Sequence, residues 1–347
     1  MSSISYRMSG SGSWQNLLPD ASARGRYGEL YRKGLFRSTE TEILGNLLTL
    51  WAQAAIIRVD GEKIIPLGPI MTDNDLEVLR PWFRDTCHFM VQYITDRLDD
   101  YRSLTSTLAE GHVSSEKAAG NILTILICAL TLDSWVFSRL RQEMIGSYPP
   151  RGRAGHFFFW GYAFKEGPER IFGFTTYNGL EGRRLHMIRS HGLDRSFIKD
   201  LLRRWEVWDL LNALLGQDSS GGDLFPGREP LNPDPDNLIW EEFITGGLIT
   251  SDPRTRLSLP VFSGSRRAAI YHLCGEVSEK IMARLRIELN RVEILWERCS
   301  FARCSRADVF CMLFHLAYSY AADLLVAQGI IPDFPQKAGG EWGVWIA

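Results

Sequence analysis

Gly246 to Phe262, GGLITSDPRTRLSLPVF, and the earlier Ala55 to Met71, AIIRVDGEKIIPLGPIM, decide how this chain is read. In each, an apolar pair (Ile56 and Ile57, or Leu248 and Ile249) leads into a strand. A turn holding Asp60-Gly61 or Asp252-Pro253 follows, and then a second strand that runs to Pro69 or Pro260. A helical pattern precedes each hairpin. The same helix and hairpin are therefore expected twice.

Beyond the first hairpin, Leu76, Leu79, Phe83, Cys87, Met90, Ile94, Leu98, Tyr101 and Leu108 recur at spacings of three, four or seven, which predicts one long helix from Asp73 to Leu108. Ser114-Ser115-Glu116 opens a second helix, which carries Ile122 to Met144 and stops at Gly146 before Pro149-Pro150. Beyond the second hairpin the pattern returns. Val277, Ile281, Leu285, Leu289, Val292 and Trp296 line a long helix from Ser265 to Arg298, and another helix runs from Ser305 to Gln328. Gly146, Pro149-Pro150 and Trp160-Gly161 are echoed by Gly329, Pro332, Pro335 and Trp342-Gly343. The chain reads as an internal duplication.

The fold class that follows is mainly α with small β-hairpins (α+β), a duplicated helix-hairpin module followed by long antiparallel helices. The expected divisions are a flexible tail (1–13), a first module (14–72), a first long helical pair (73–150) and an aromatic β-hairpin (151–181). A basic helix, a loop and a second module follow (182–264), then a second long helical pair with a C-terminal strand (265–347). The loop is Gln217 to Asp236, where Gly, Pro, Ser and Asp dominate.

With 347 residues, 45% of them hydrophobic and 12% aromatic, the chain has ample material for a large core. A formal net charge of -2 offers no global attraction to nucleic acid or anionic lipid, so any such binding needs a local patch. Residues 1–13, MSSISYRMSGSGS, lack the apolar core of a secretory signal. The longest apolar run, Ile122 to Leu132, falls short of the roughly 20 residues of a membrane span. Six cysteines without a disulfide-scaffold density fit a reducing compartment, so a cytoplasmic location away from membranes is expected.

A helix followed by such a hairpin resembles the wing of a winged helix-turn-helix domain, over residues 24–71 and 197–262. The resemblance implies a DNA-binding regulator, in which a recognition helix enters the major groove while basic wing residues hold phosphates. It assigns Arg37, Ser38, Thr39, Thr41, Asn46, Gln53, Arg58 and Lys63 to the first module's interface, and Arg254 and Arg256 to the second. Asp234, Asp236, Glu241 and Glu242 in the second module would repel phosphate. The cationic run from Arg183 to Arg204, with Arg184 and Arg189, is either a phosphate-contacting stretch or a solvated face.

Three further patterns bear on function. His156, Trp160, Tyr162, Phe172 and Tyr177 either line a pocket for a small apolar or aromatic effector or belong to a packed sheet face. Cys304, Cys311 and His315, within C-x4-C-x6-C-x3-H from Cys299, are soft metal ligands in kind, but they sit among apolar residues as buried structural thiols do. Asp96, Asp99 and Asp100 (DRLDD) resemble, in reversed order, the aspartate-rich magnesium motif of terpenoid synthases. The interleaved Arg97 and Arg102 fit surface ion pairs instead. No nucleophile elbow, zinc-protease, P-loop or dinucleotide motif is present, so no catalytic residue and no cofactor is implied. The leading reading is a ligand-responsive DNA-binding regulator. The alternatives are a protein-interaction or small-ligand-binding protein, working through a partner or a homodimer, and a metal-dependent enzyme of the synthase type.

Overall fold

The structure, a computed structural model, describes residues 4–33, 45–61, 63–109, 115–165, 167–168, 172–178, 184–190, 249–250, 256–257, 261–262, 264–333 and 342–346. The chain is mainly helical, with two small open β-hairpins and long C-terminal helices. Its first part runs β1 (Ser5–Gly12), α1 (Ala21–Lys33), α2 (Asn46–Gln53), the hairpin β2 (Ile57–Asp60) and β3 (Lys63–Pro66), and β4 (Ile70–Thr72). Then come α3 (Asp73–Thr95), α4 (Leu98–Ala109) and α5 (Ser115–Thr124). The last continues into a π-wound stretch (Ile125–Val136), α6 (Phe137–Leu140) and a second π-wound stretch (Arg141–Ile145), before β5 (Gly155–Ala163). The second part runs β6 (Phe172–Asn178), β7 (Arg184–Ser190), the hairpin β8 (Ile249–Thr250) and β9 (Arg256–Leu257), β10 (Val261–Phe262), α7 (Gly264–Trp296), α8 (Arg306–Ala327) and β11 (Trp342–Ile346).

Two compact units divide these elements. The first gathers Met1–Met90, Phe137–Glu169 and Ile281–Tyr320; the second gathers Val91–Val136, Arg170–Lys280 and Ala321–Ala347. Neither is a continuous segment, so the units cut across the sequential divisions expected from the sequence.

In the first unit β5 is the central strand of a three-stranded sheet, antiparallel to β1 and parallel to β4, with Gly161 opposite both Tyr6 and Ile70. Phe157, Phe158, Phe159 and Trp160 are all buried. Tyr6 stacks on Phe159 at 5.7 Å, and Phe137 stacks on Phe314 of α8 at 5.5 Å. These rings form the unit's core, where area removed from water is the main stabilising contribution.

In the second unit β11 lies parallel to β10 and antiparallel to β7, whose other edge carries β6. The π-wound stretch is buried from Ile125 to Asp133, all around its circumference. The Thr131 hydroxyl donates to the Leu126 carbonyl five residues back at 2.8 Å, and shares a 2.7 Å hydrogen bond with Tyr101 Oη. Ile122–Ile145 and Arg306–Ala327 are long and apolar enough to cross a membrane, and 78% of each such window is buried inside the protein.

The two parts share one strand order. β1 and β7 are each antiparallel to a central strand (β5, β11), and each central strand follows helices that began directly after its parallel neighbour (β4, β10). A two-stranded hairpin precedes β4, and another precedes β10. Ile57 and Ile249 both open the first strand of such a hairpin.

Four local expectations change. Residues 5–12 of the expected flexible tail form β1, paired with β5 over its whole length. The glycines there serve close approach: a Cβ on Gly10 (φ +133°) would lie 2.4 Å from the His156 carbonyl oxygen. The two aromatic runs of 151–181 do not pair with each other, because β1 and β4 occupy both edges of β5 and β6 pairs with β7 instead. Residues 184–190 of the expected basic stretch are strand. The expected single helix from Asp73 to Leu108 is broken at Asp96 and Arg97 into α3 and α4.

Candidate functional site

The first hairpin shows why one end of it is fixed and the other is free. Its turn is Asp60-Gly61, with Gly61 at φ +59°, a conformation that needs no Cβ. Ile56 and Ile57 are buried at its base, and Ile64 and Ile65 are buried along β3, opposite Val59 and Arg58. The Tyr27 hydroxyl donates to the Ile56 carbonyl at 3.0 Å and accepts from the Gly68 amide at 3.1 Å, and the Leu67 amide closes onto the Ile56 carbonyl at 2.8 Å. Burial holds the Tyr27 hydroxyl well above the ordinary tyrosine range, so it stays protonated as a donor.

The outer part presents Arg58, Val59, Asp60 and Lys63 to solvent. Val59 is 49% exposed, a rare exposure for a large apolar side chain here. Just upstream, α2 buries Trp51, whose indole N–H donates to the Leu17 carbonyl at 2.9 Å. That anchor turns Asn46, Thr49 and Gln53, spaced by three and four residues, outward on one face. Arg80, Arg84, Arg97, Arg284, Arg286 and Arg306 all hold carboxylate partners. Among the described residues Arg58 and Lys63 have none.

The remaining cationic candidates are placed less fully. Arg37, Ser38, Thr39, Thr41, Arg183 and Arg254 lie outside the described residues. Arg184 and Arg189 sit at the two ends of β7, and Arg256 in β9 pairs with Thr250.

Of the aromatic candidates, His156, Trp160 and Tyr162 do not line one pocket among the described residues. Trp160 is sealed in the core, His156 is exposed, and Phe172 and Tyr177 belong to the sheet of β6. Tyr162 accepts a 2.7 Å hydrogen bond from Arg7 and stacks on Phe164 at 4.9 Å. A groove of about 170 Å³ does open elsewhere in the first unit, between Leu76, Phe83, Cys87 and Tyr320. Its rim guanidiniums, Arg80 and Arg84, are already paired with Glu77 and Asp85, so the groove carries little net charge.

Nor do the soft ligands converge. His315 Nδ1 donates to the Cys311 carbonyl at 2.8 Å, with the Cys311 sulfur 3.6 Å from the same nitrogen. The imidazole lies between Trp160 (4.8 Å) and Phe137 (4.9 Å), and burial lowers its pKa to about 4. Cys304 instead points its thiol at the Pro66 carbonyl, 3.8 Å away. No group of three or more His, Cys, Asp or Glu side chains able to hold a metal occurs among the described residues. In the DRLDD stretch, Arg97 bridges Asp100 and Glu276, and Gln92 donates to Asp96.

The sequence reading missed one feature, the fully buried ion pair of Arg151 and Asp308. Arg151 Nη2 donates to both Asp308 carboxylate oxygens at 2.7 Å, Nη1 to the carbonyls of Ala54 and Ala55 at 3.1 Å, and Nε to that of Phe157 at 3.0 Å. Asp308 also accepts from the Phe159 amide at 2.9 Å. Burial raises the Asp308 carboxyl above the usual aspartate range, and the guanidinium and the amide pull it back. The one sequence signal was Ser305-x-x-Asp308, a helix-start pattern, with the Asp308 amide 3.4 Å from Ser305 Oγ. No family model, no curated protein and no solved structure matches this chain.

Proposed function

We propose that the protein is a winged-helix-derived regulator whose first module binds duplex DNA, with the hairpin and the exposed face of α2 as the contact surface. The observation that carries this reading is the outward presentation of Arg58 and Lys63, which have no carboxylate partner among the described residues, together with the outward Asn46 and Gln53 on α2. Cations not already neutralised are the ones that displace counterions from phosphate, and exposed amides are the groups that read base edges. Among the described residues the hairpin departs from the winged-helix pattern in having no third strand, and β1 pairs with β5. The flap therefore acts as a two-stranded contact arm.

The test is fluorescence anisotropy of a labelled duplex between about 50 and 200 mM salt. Each phosphate contact contributes about 0.9 to the slope of log affinity against log salt, so Arg58→Ala with Lys63→Ala should flatten the slope by about 2. No retention on DNA at low salt, or an unchanged slope in the double variant, overturns the reading. The protein-interaction alternative draws on Val59, whose apolar side chain at the flap suits a protein surface better than a phosphate.

A further inference from the structure

We propose that the buried Arg151–Asp308 pair is the strut that sets the angle of the first hairpin, making Arg151 a positioning residue for that surface. The proposal rests on the reading above for its consequence in binding, and its structural content is independent of DNA.

Ala55, two residues before β2, has φ +50°, the one non-glycine residue with positive φ among the described residues. That conformation places a Cβ against its own backbone and persists only where the surroundings enforce it. The enforcing contact is present. One nitrogen of Arg151 binds the carbonyls of Ala54 and Ala55 together, fixing the peptide groups on both sides of the strained bend. The rest of the guanidinium is held at three points, by the two Asp308 oxygens and the Phe157 carbonyl, so it cannot follow the hairpin if the hairpin swings.

The strut ties three elements at one point. Asp308 belongs to the first turn of α8, Phe157 and Phe159 to β5, and Ala54–Ala55 to the approach of the hairpin. A second tie runs the same way, from the Ser305 amide to the Leu67 carbonyl at 2.9 Å on the far leg. Both legs of the hairpin are thus referred to the start of α8. Stabilising a core with a fully buried ion pair is inefficient, because desolvation offsets most of the attraction, so the geometry the pair fixes is the stronger consequence of its presence.

Hydrogen exchange on the full chain tests this without any nucleic acid. In Arg151→Lys, which keeps the charge but not the fork of donors, the Ile56 and Leu67 amides at the hairpin base should exchange at least tenfold faster, while the Leu79, Trp82 and Phe83 amides of α3 hold their rates. Adding Ala55→Gly, which adopts positive φ freely, should restore most of the lost protection, whereas Ala55→Gly in the parent should change it little. Equal acceleration of hairpin and α3, or no rescue by glycine, overturns the strut. Should Arg151→Lys not fold, the parent protein decides. Its Ile56 and Leu67 amides must then share the urea dependence of the Phe159 amide, and exchange of the hairpin base without loss of Phe159 protection overturns the proposal. A chain that passes these tests and ignores DNA retains the strut and loses only the regulator reading.

Discussion

Stability should fall by about 3 kcal/mol as the pH drops from the ordinary histidine pKa towards 4, and the loss should trace to His315. The imidazole is buried on α8 between Trp160 and Phe137, its Nδ1 proton is committed to the Cys311 carbonyl, and burial lowers its pKa from 6.5 to about 4. The sign follows from comparing the two states. Above 6.5 the ring is neutral both in the folded and in the unfolded chain. Between 6.5 and about 4 the unfolded chain takes up a proton that the folded chain refuses, so unfolding is favoured progressively. The loss should reach about 2 kcal/mol by pH ~5 and about 3 by pH ~4, with nothing further from this group below that. Urea unfolding of the parent and of His315→Gln at about pH 7, 5 and 4 isolates the effect, because carboxylate titrations are common to both chains. The gap between their stabilities should shift by about 3 kcal/mol across the series in favour of the variant. Parallel pH profiles would refute the burial argument.

Two further outcomes are specific enough to measure. Asp75→Ala strips the acceptor from the Thr72 amide and hydroxyl and from the Ser300 amide and hydroxyl, all within 2.9 Å, and should destabilise by about 2 kcal/mol in urea, since the bonds to a buried carboxylate are lost while the exposed Ser300 can turn to water. Burial pushes Cys87 to about 11 and Cys274, Cys299 and Cys304 to about 12, so an aromatic disulfide reagent near neutral pH should label the native chain slowly, with Cys87 in its groove first. An immediate stoichiometric burst would contradict that.

What could be read from the sequence was what depends on near neighbours. Asp60-Gly61 between alternating residues announces a hairpin because the turn chemistry is local, and α7 shows itself through Val277, Ile281, Leu285 and Leu289 because one face of a helix repeats at a fixed spacing. β1 stayed hidden because Gly10 and Gly12, chosen for close approach to β5, look like linker residues when the partner strand is 150 positions away. The alternation of Ile4, Tyr6 and Met8 was the faint signal, and Tyr6 is indeed buried. The pairing of β5 was equally non-local: an aromatic run announces a strand but not its neighbours. Arg151 and Asp308 lie 157 residues apart, and nothing in either local pattern points to the other. Of the candidate contact surface, Asn46, Gln53, Arg58 and Lys63 were legible as polar positions, but whether Arg58 and Lys63 pair with carboxylates among the described residues was not, since ion pairing depends on what the fold brings near.

The repeated strand order carries a consequence for any shared role of the two modules. A hairpin precedes the edge strand of each sheet, so equivalent function would require equivalent surface chemistry on the two. The sequences diverge where that chemistry lies. The first hairpin turns through Asp60-Gly61 and carries Arg58, Glu62 and Lys63, while the sequence around the second carries Asp252, Arg254 and Arg256 after a stretch bearing Asp234, Asp236, Glu241 and Glu242. On the proposed DNA-binding reading the first hairpin offers two cations and two carboxylates, Arg58, Asp60, Glu62 and Lys63, while the four carboxylates upstream of the second would repel phosphate within a Debye length of about 8–10 Å. If the proposed DNA-binding reading holds, one chain should engage one duplex site through one module. Neutralising the four acidic residues to amides is the perturbation that separates this from a symmetric arrangement. If the modules are asymmetric by charge alone, the amide variant should bind a second duplex per chain in a titration at low salt. Saturation of the parent chain at two duplexes would show that the acidic stretch does not govern access at all.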